Sequence, residues 1–172
     1  FVGDLINMEA SYIFKEFLER TIDTKNYESR SSDMFIDSSK RENYLFNSTI
    51  NGIEESDFIL LIGTNPRFEA TMLNARIRKA YLKNKVKIVS LNDLGDLTYP
   101  YKSLDGKTQT IKDIIEGNNE LTKEIIKAQK PMIIFGESFL KSKSAEFLFS
   151  SLKNFLLINN KFSEDWNPLN VI

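Results

Sequence analysis

The residue types best placed to do chemistry are grouped in one short segment, Gly63-Thr64-Asn65-Pro66-Arg67-Phe68-Glu69. It follows a continuous apolar run and precedes an amphipathic stretch. A helix beginning there would present unpaired backbone N–H groups and a partial positive charge. Arg67 adds a fixed charge and a planar fork suited to phosphate or carboxylate. Gly63, Thr64, Asn65, Pro66, Arg67 and Glu69 are therefore candidates for an anion or nucleotide pocket. The same spacing also suits a capped strand–helix turn in which Arg67 pairs with Glu69 or another acid, and spacing alone leaves both readings open. Arg76, Arg78 and Lys79 form a basic cluster just downstream, either a solvated face or a contact with another subunit or domain. With Arg67 they are the interface candidates. Glu54, Glu55 and Asp57 read as a solvated helix end rather than as paired catalytic carboxylates. Asp93, Asp96 and Asp105 do not have calcium-loop spacing. Asn47-Ser48-Thr49 matches a glycosylation pattern by chance, and Trp166 reads as a packing residue. There is no Walker-type loop and no G-x-G-x-x-G.

Two absences narrow the chemistry further. The 172 residues include no Cys and no His. That removes a thiolate nucleophile, a Cys-ligated zinc or iron–sulfur cluster, an imidazole base and a Ser-His-Asp triad. No catalytic residue and no metal ligand is assigned. Lys+Arg 23 against Asp+Glu 24 gives a net charge of -1, which offers no general attraction for nucleic acid or an anionic membrane. No apolar run approaches the roughly 20 residues of a membrane span. The opening at Phe1 suggests a fragment of something longer.

Positioning of the Asn-Pro-Arg segment falls to its neighbours. Phe58–Ile62 reads as a strand buried on both faces, with Gly63 closing it. A helix over about 69–83 follows, its apolar positions being Ala70, Leu73, Ile77, Ala80 and Tyr81. Further strands are expected at 86–91 and 132–135, and helices at about 7–20, 108–116, 120–129 and 144–158. The last of these carries an apolar stripe of Phe147, Leu148, Leu152, Phe155 and Leu156. A short helical region is expected from Tyr44 through Ile53, and the tail after Ser163 reads as the start of another helix. Residues 21–43 read as a loop, mobile in part, with an extended piece at Met34–Ile36, and Phe1–Asp4 as a strand end or turn. Alternating strands and helices predict a single α/β domain over 1–172 with a mainly parallel sheet. In such sheets ligands sit where strands end and helices begin, which again selects the loop after Ile62.

The segment NYLFNSTINGIEESDFILLIGTNPRFEATMLNARIRKAYL closely resembles the family of the large iron–sulfur subunit of bacterial NADH–quinone oxidoreductase, which is respiratory complex I. Asp96-Leu97-Thr98-Tyr99, Ile111-Lys112-Asp113-Ile114, Lys130-Pro131-Met132 with Gly136, and Asp165-Trp166 with Asn170 extend the resemblance over the chain. Thr71 departs from it, since the family usually has Pro there. The resemblance implies a three-layer Rossmann-like fold of the formate dehydrogenase/DMSO reductase type, in the molybdopterin-oxidoreductase-like C-terminal part of the subunit. Iron–sulfur clusters would lie in Cys-rich domains upstream, outside this fragment. In molybdenum enzymes of this type the loop after the equivalent of Phe58–Ile62 helps hold a guanine dinucleotide cofactor, and the next strand ends in Asp-Pro-Arg. Here that place reads Ser90-Leu91-Asn92-Asp93-Leu94, so the resemblance implies a vestigial cofactor loop.

The expected role is therefore a non-catalytic structural domain within an NADH-to-quinone electron-transfer complex. It would hold no cofactor of its own. Its partners would be other domains of the same subunit and neighbouring peripheral-arm subunits, with no nucleic acid and no direct membrane contact. Its location would be the cytoplasmic side of the bacterial inner membrane, within a membrane-bound complex. The alternatives are a domain that retains a molybdopterin guanine dinucleotide-type site and a free-standing nucleotide-binding domain.

Overall fold

The apolar run Phe58–Ile62 can be buried along its whole length only if both of its faces are covered. The computed structural model, which describes residues 2–3, 6–28 and 33–172, meets that requirement with helices on two sides of a sheet. The chain forms two compact units, Phe1–Met34 and Phe35–Ile172. In the first, helix α1 (Met8–Arg20) is capped by Asn7, whose side chain accepts a hydrogen bond from the Ala10 amide, and none of its residues is buried. The Val2 amide donates to the Glu28 carbonyl at 3.2 Å. Phe1, Asp4 and residues 29–32, which fall in stretches read above as a strand end and a loop, lie outside the described residues.

The second unit runs α2 (Thr49–Gly52), β1 (Phe58–Ile62), α3 (Pro66–Glu69), α4 (Thr71–Asn84), β2 (Lys87–Ser90), β3 (Lys102–Ser103), α5 (Thr108–Glu116), α6 (Glu120–Lys127), β4 (Pro131–Phe135), α7 (Glu137–Leu140), α8 (Ala145–Ile158) and β5 (Leu169–Val171). The strands form one five-stranded sheet in the order β3-β2-β1-β4-β5, and every pairing is parallel. This is the α/β, Rossmann-like architecture expected from the alternation of elements. β1 is central, in register with β2 from Phe58↔Lys87 and with β4 from Phe58↔Pro131.

Successive strand residues face opposite ways, and two cores result. Ile59, Leu61, Ile88, Met132 and Ile134 join Ile53, Ile77 and Ala80 on one side, with Trp166 and Tyr99. The intervening residues Phe58, Leu60, Ile62, Val89, Ile133 and Phe135 are buried with Ile111, Ile114, Leu121, Ile125, Leu148 and Leu152 of the other helices. Trp166 is a packing residue, as expected. Its indole Nε1 donates to the Pro131 carbonyl at 2.9 Å.

Several local expectations are corrected. The tail forms strand β5 rather than a helix, because its backbone completes the ladder beside β4. Buried Asn170 fixes it further: its side chain accepts from the Ser48 amide at 2.9 Å and donates to the Ser48 hydroxyl at 3.0 Å. Tyr44–Phe46 is not helical, since Phe46 forms a bridge to Asn170 and helix starts only at Thr49. Phe147, placed in the buried stripe of α8 by periodicity, is 60% exposed. The expected extended piece at Met34–Ile36 joins no strand, although the Phe35 amide donates to the Leu140 carbonyl at 2.9 Å. The helix expected over 69–83 is two helices broken at Ala70, whose φ of -147° and ψ of 67° leave the helical region. Proline disfavours that region for its predecessor, so the proline that the family resemblance implies at position 71 would fit this backbone. β3 was not foreseen, since Lys102 and Ser103 are both exposed and carry no apolar signal. Asn47, in the chance glycosylation match, donates to the Glu42 and Leu169 carbonyls, each at 2.7 Å.

One contact fixes the end of the sheet nearest the candidate loop. A Cβ on Gly63, at φ +66°, would lie 2.4 Å from the Phe139 nitrogen, and a Cβ on Gly136 would lie 2.4 Å from the Thr64 Cβ. Gly95 also has positive φ, +68°, but a Cβ there would meet nothing within 4 Å. Gly63→Ala combines left-handed strain with a backbone clash and should cost roughly 2–4 kcal/mol. Gly95→Ala carries the strain alone and should cost about 1 kcal/mol. Urea unfolding of both variants separates close packing from conformational strain, and equal losses would remove the packing argument.

Candidate functional site

The Asn-Pro-Arg segment sits at the C-terminal end of β1, where the order of strands reverses between β1 and β4. That is the usual ligand crevice of an open parallel sheet. Pro66 opens α3, where its missing N–H costs nothing, and Asn65 caps the helix by accepting from the Arg67 amide at 3.2 Å. Glu69 then folds back. Its carboxylate accepts from the Thr64 hydroxyl at 2.8 Å and from the Asn65 amide at 3.1 Å. This resembles a capping box, in which side chain and backbone satisfy each other.

Arg67 pairs with Asp96, not with Glu69, at 2.8 Å, and it also donates to the Asp96 carbonyl. The capped-turn arrangement, with another acid as the partner, is what the structure contains. Asn65 donates its side-chain N–H to the Leu94 carbonyl at 3.2 Å. The loop after β1 is thus tied at two points to the long connection after β2. That connection holds itself together around Tyr101, whose hydroxyl accepts from the Leu94 amide and bonds Asp93, both at 2.8 Å. Beneath it, buried Asn74 on α4 accepts from the Tyr99 hydroxyl at 2.7 Å and donates to the Leu97 carbonyl at 3.2 Å. Burial drives the Tyr99 hydroxyl pKa upward, so it remains a donor.

Close backbone packing fills the β4 side of this crevice. The Gly136 amide donates to the Ile62 carbonyl at 2.9 Å, and the Ser138 hydroxyl donates to the Gly63 carbonyl at 2.7 Å. With Arg67 engaged by Asp96 and the Glu69 carboxylate against the start of α3, this arrangement does not fit the diphosphate of a dinucleotide. The N–H groups of Asn65, Arg67, Phe68 and Glu69 are all taken within the turn. Of the described residues, no group of three or more His, Cys, Asp or Glu could hold a metal ion.

The other charged candidates are mostly engaged within the fold. Arg76 and Lys79 both reach Glu54, at 2.6 and 2.9 Å. They hold its carboxyl below the usual range, Lys79 being the larger cause and Arg76 the second. Arg78 is exposed, so the basic cluster divides between two faces of α4. Asp57 is more than a solvated end: its carboxylate accepts from the Gln129 amide at 2.7 Å and the Lys130 amide at 3.0 Å. It joins the starts of β1 and β4. Sequence reasoning did not select Asp96, Leu94, Tyr101 or Ser138. The quoted Asp96-Leu97-Thr98-Tyr99 motif contained the one available signal.

A parallel, three-layer α/β unit with a polar turn at its strand-order reversal is a Rossmann-like, molybdopterin oxidoreductase-type fold. The chain belongs to the molybdopterin oxidoreductase family, whose model matches residues 1–172. It is 32% identical over 183 residues to the NADH-ubiquinone oxidoreductase 75 kDa subunit of Reclinomonas americana, covering 99% of this chain and 26% of that protein. It is also 32% identical over 170 residues to a subunit of the NADH-quinone oxidoreductase of Rickettsia typhi, covering 99% and 25%. Identity is 30% over 170 residues to the mitochondrial NADH dehydrogenase (ubiquinone) iron-sulfur protein 1 of Solanum tuberosum, covering 99% and 23%. The resemblance to the large iron–sulfur subunit drawn from the sequence therefore stands. The chain spans about a quarter of the length of these curated relatives.

The acids of the β2–β3 connection give this site a pH signature. The Thr98 amide, and then the Arg67 guanidinium, hold the Asp96 carboxyl below the usual carboxylate range. The Gly95 amide, and then the Tyr101 hydroxyl, do the same for Asp93. A carboxylate with a lowered folded pKa stabilises above its unfolded value, near 4, and that contribution is lost as pH falls through the folded value. Amide protection over residues 92–99 should therefore fall below about pH 4 before that of β4. Arg67→Ala should lower protection at Asp96–Thr98 at neutral pH while leaving part of the acid response, because the Thr98 amide remains. Hydrogen exchange corrected for intrinsic rates reads both effects, and unchanged protection in Arg67→Ala would show that the clamp is idle.

Proposed function

We propose that this chain is a non-catalytic structural portion of the large iron–sulfur subunit in an NADH–quinone oxidoreductase, packing against cluster-bearing domains of the same subunit and against neighbouring peripheral-arm subunits. The observation that carries this reading is the self-partnered β1 loop, with Arg67 on Asp96 and Glu69 on Thr64 and Asn65. A loop whose charges satisfy each other holds two strand connections in place without a ligand. The parent complex would oxidise NADH and reduce quinone, with the iron–sulfur clusters of this subunit held elsewhere in its chain. The 1–172 segment would serve as one α/β portion of that subunit, on the cytoplasmic side of the inner membrane. No described helix is long and apolar enough to cross a membrane, which agrees with a place in the peripheral arm.

The family match favours a second reading, in which the domain still binds a molybdopterin guanine dinucleotide-type cofactor. On that reading Arg67 would leave Asp96 and the loop would open. The two readings separate on the purified parent complex, denatured under oxidising conditions and assayed for fluorescent pterin. The structural reading expects no pterin above background. One pterin per subunit would replace it with the second reading.

A further inference from the structure

Helix α4 carries exposed apolar side chains, as α8 does at Phe147 and Ile158, but here they stand among cations. Its inward face buries Ile77 and Ala80 with Asn74, and its outward face carries two large apolar side chains. Met72 is 72% exposed and Leu82 59% exposed. Ala75 and the exposed Lys79 lie between them, and the four residues recur at helical spacing on one side. Phe68, in α3 before the break at Ala70, is 78% exposed. Helix α5 shows the ordinary arrangement, with Ile111 and Ile114 inward and Thr108, Gln109, Lys112 and Glu116 in solvent.

The charge of this face is one-sided. From Thr71 to Lys85 the chain carries Arg76, Arg78, Lys79, Lys83 and Lys85 and no acid. Glu54 takes up Arg76 and Lys79, and Lys85 lies 5.0 Å from the Tyr81 ring centre. Arg78 and Lys83 are exposed, with no hydrogen bond or ion pair to any described residue. Exposed apolar side chains flanked by cations that the fold does not neutralise form a surface with a specific complement.

We infer that the outward face of α4, with Met72 and Leu82 as apolar anchors and Arg78 and Lys83 as flanking charges, is a docking surface for an acidic amphipathic helix of a protein partner. The apolar stripe matches the ridge of a second helix, and the cations select a partner whose acids flank its own stripe. This deepens the structural role proposed above and rests on it, by naming the chemistry of the contact. Only Arg78 and Lys79 of the sequence-derived interface candidates lie on this face, and Lys79 is shared with Glu54.

Photo-crosslinking in the parent protein, assembled in its own cells, tests the surface. Benzoylphenylalanine replaces Met72 or, separately, Leu82, with Lys112 on α5 as the control position. Mass spectrometry should map the Met72 and Leu82 adducts to a protein segment with acids three and four residues apart beside an apolar stripe. Arg78→Glu with Lys83→Glu should cut the yield by about tenfold or more, a change of about 1.4 kcal/mol, while leaving the melting temperature of the isolated chain unchanged. Adducts to lipid, to a second copy of this chain or to a non-acidic segment would overturn the inference, as would the absence of adducts above the Lys112 control. An acidic partner from outside any NADH–quinone oxidoreductase would keep the docking surface and overturn the proposed parent complex. A parent complex that assembles with α4 in water would do the reverse.

Discussion

The close approach of the β1 and β4 ends governs the rest of this structure. Both strands lie at the centre of the sheet, and both end in a glycine whose missing side chain lets the next backbone in. Gly63 meets Phe139 and Gly136 meets Thr64 at distances no Cβ tolerates. Because the strands are parallel and in register, their ends arrive together, and the following turns must pack against each other or diverge around a ligand. Here they pack. The hydrogen bonds from Gly136 to Ile62 and from Ser138 to Gly63 then hold the contact shut.

The polar turn acquires its meaning from that closure. Arg67 is directed to the other side, where it meets the connection after β2 and pairs with Asp96. An exposed ion pair of this kind contributes little by itself. Its partners Asn65, Leu94 and Tyr101 make a network that fixes a long connection with little regular structure of its own. At the opposite end of β1, Asp57 joins the start of β4 by accepting two backbone amides. The central strand is tied at both ends by polar side chains, one set that sequence alone presents as binding candidates and one, Asp57, that it presents as a solvated end.

Much of this is legible in the amino-acid pattern. The runs at Phe58–Ile62 and 132–135 are apolar without interruption, which only a covered parallel sheet allows, and α4, α5 and α8 show in their spacing. The elements that escape are those whose cause is tertiary. β3 and β5 are short and exist because a neighbouring strand offers a ladder. Ala70 breaks a helix that periodicity joins. Phe147 follows a helical period yet faces solvent, because periodicity names a face and not its width. For the site, the pattern locates the segment but not its state. Whether Arg67 meets a phosphate or Asp96 depends on a residue 29 positions away, and no local pattern carries that information.

The central claim is that the retained turn serves folding and contact, with no anion in its crevice. Thermal unfolding of the chain with millimolar guanosine diphosphate tests it most directly. The account predicts an unchanged melting temperature for both the natural sequence and Arg67→Ala. A saturable rise in melting temperature, equivalent to about 2.7 kcal/mol at a hundredfold excess over the dissociation constant and abolished by Arg67→Ala, would contradict it.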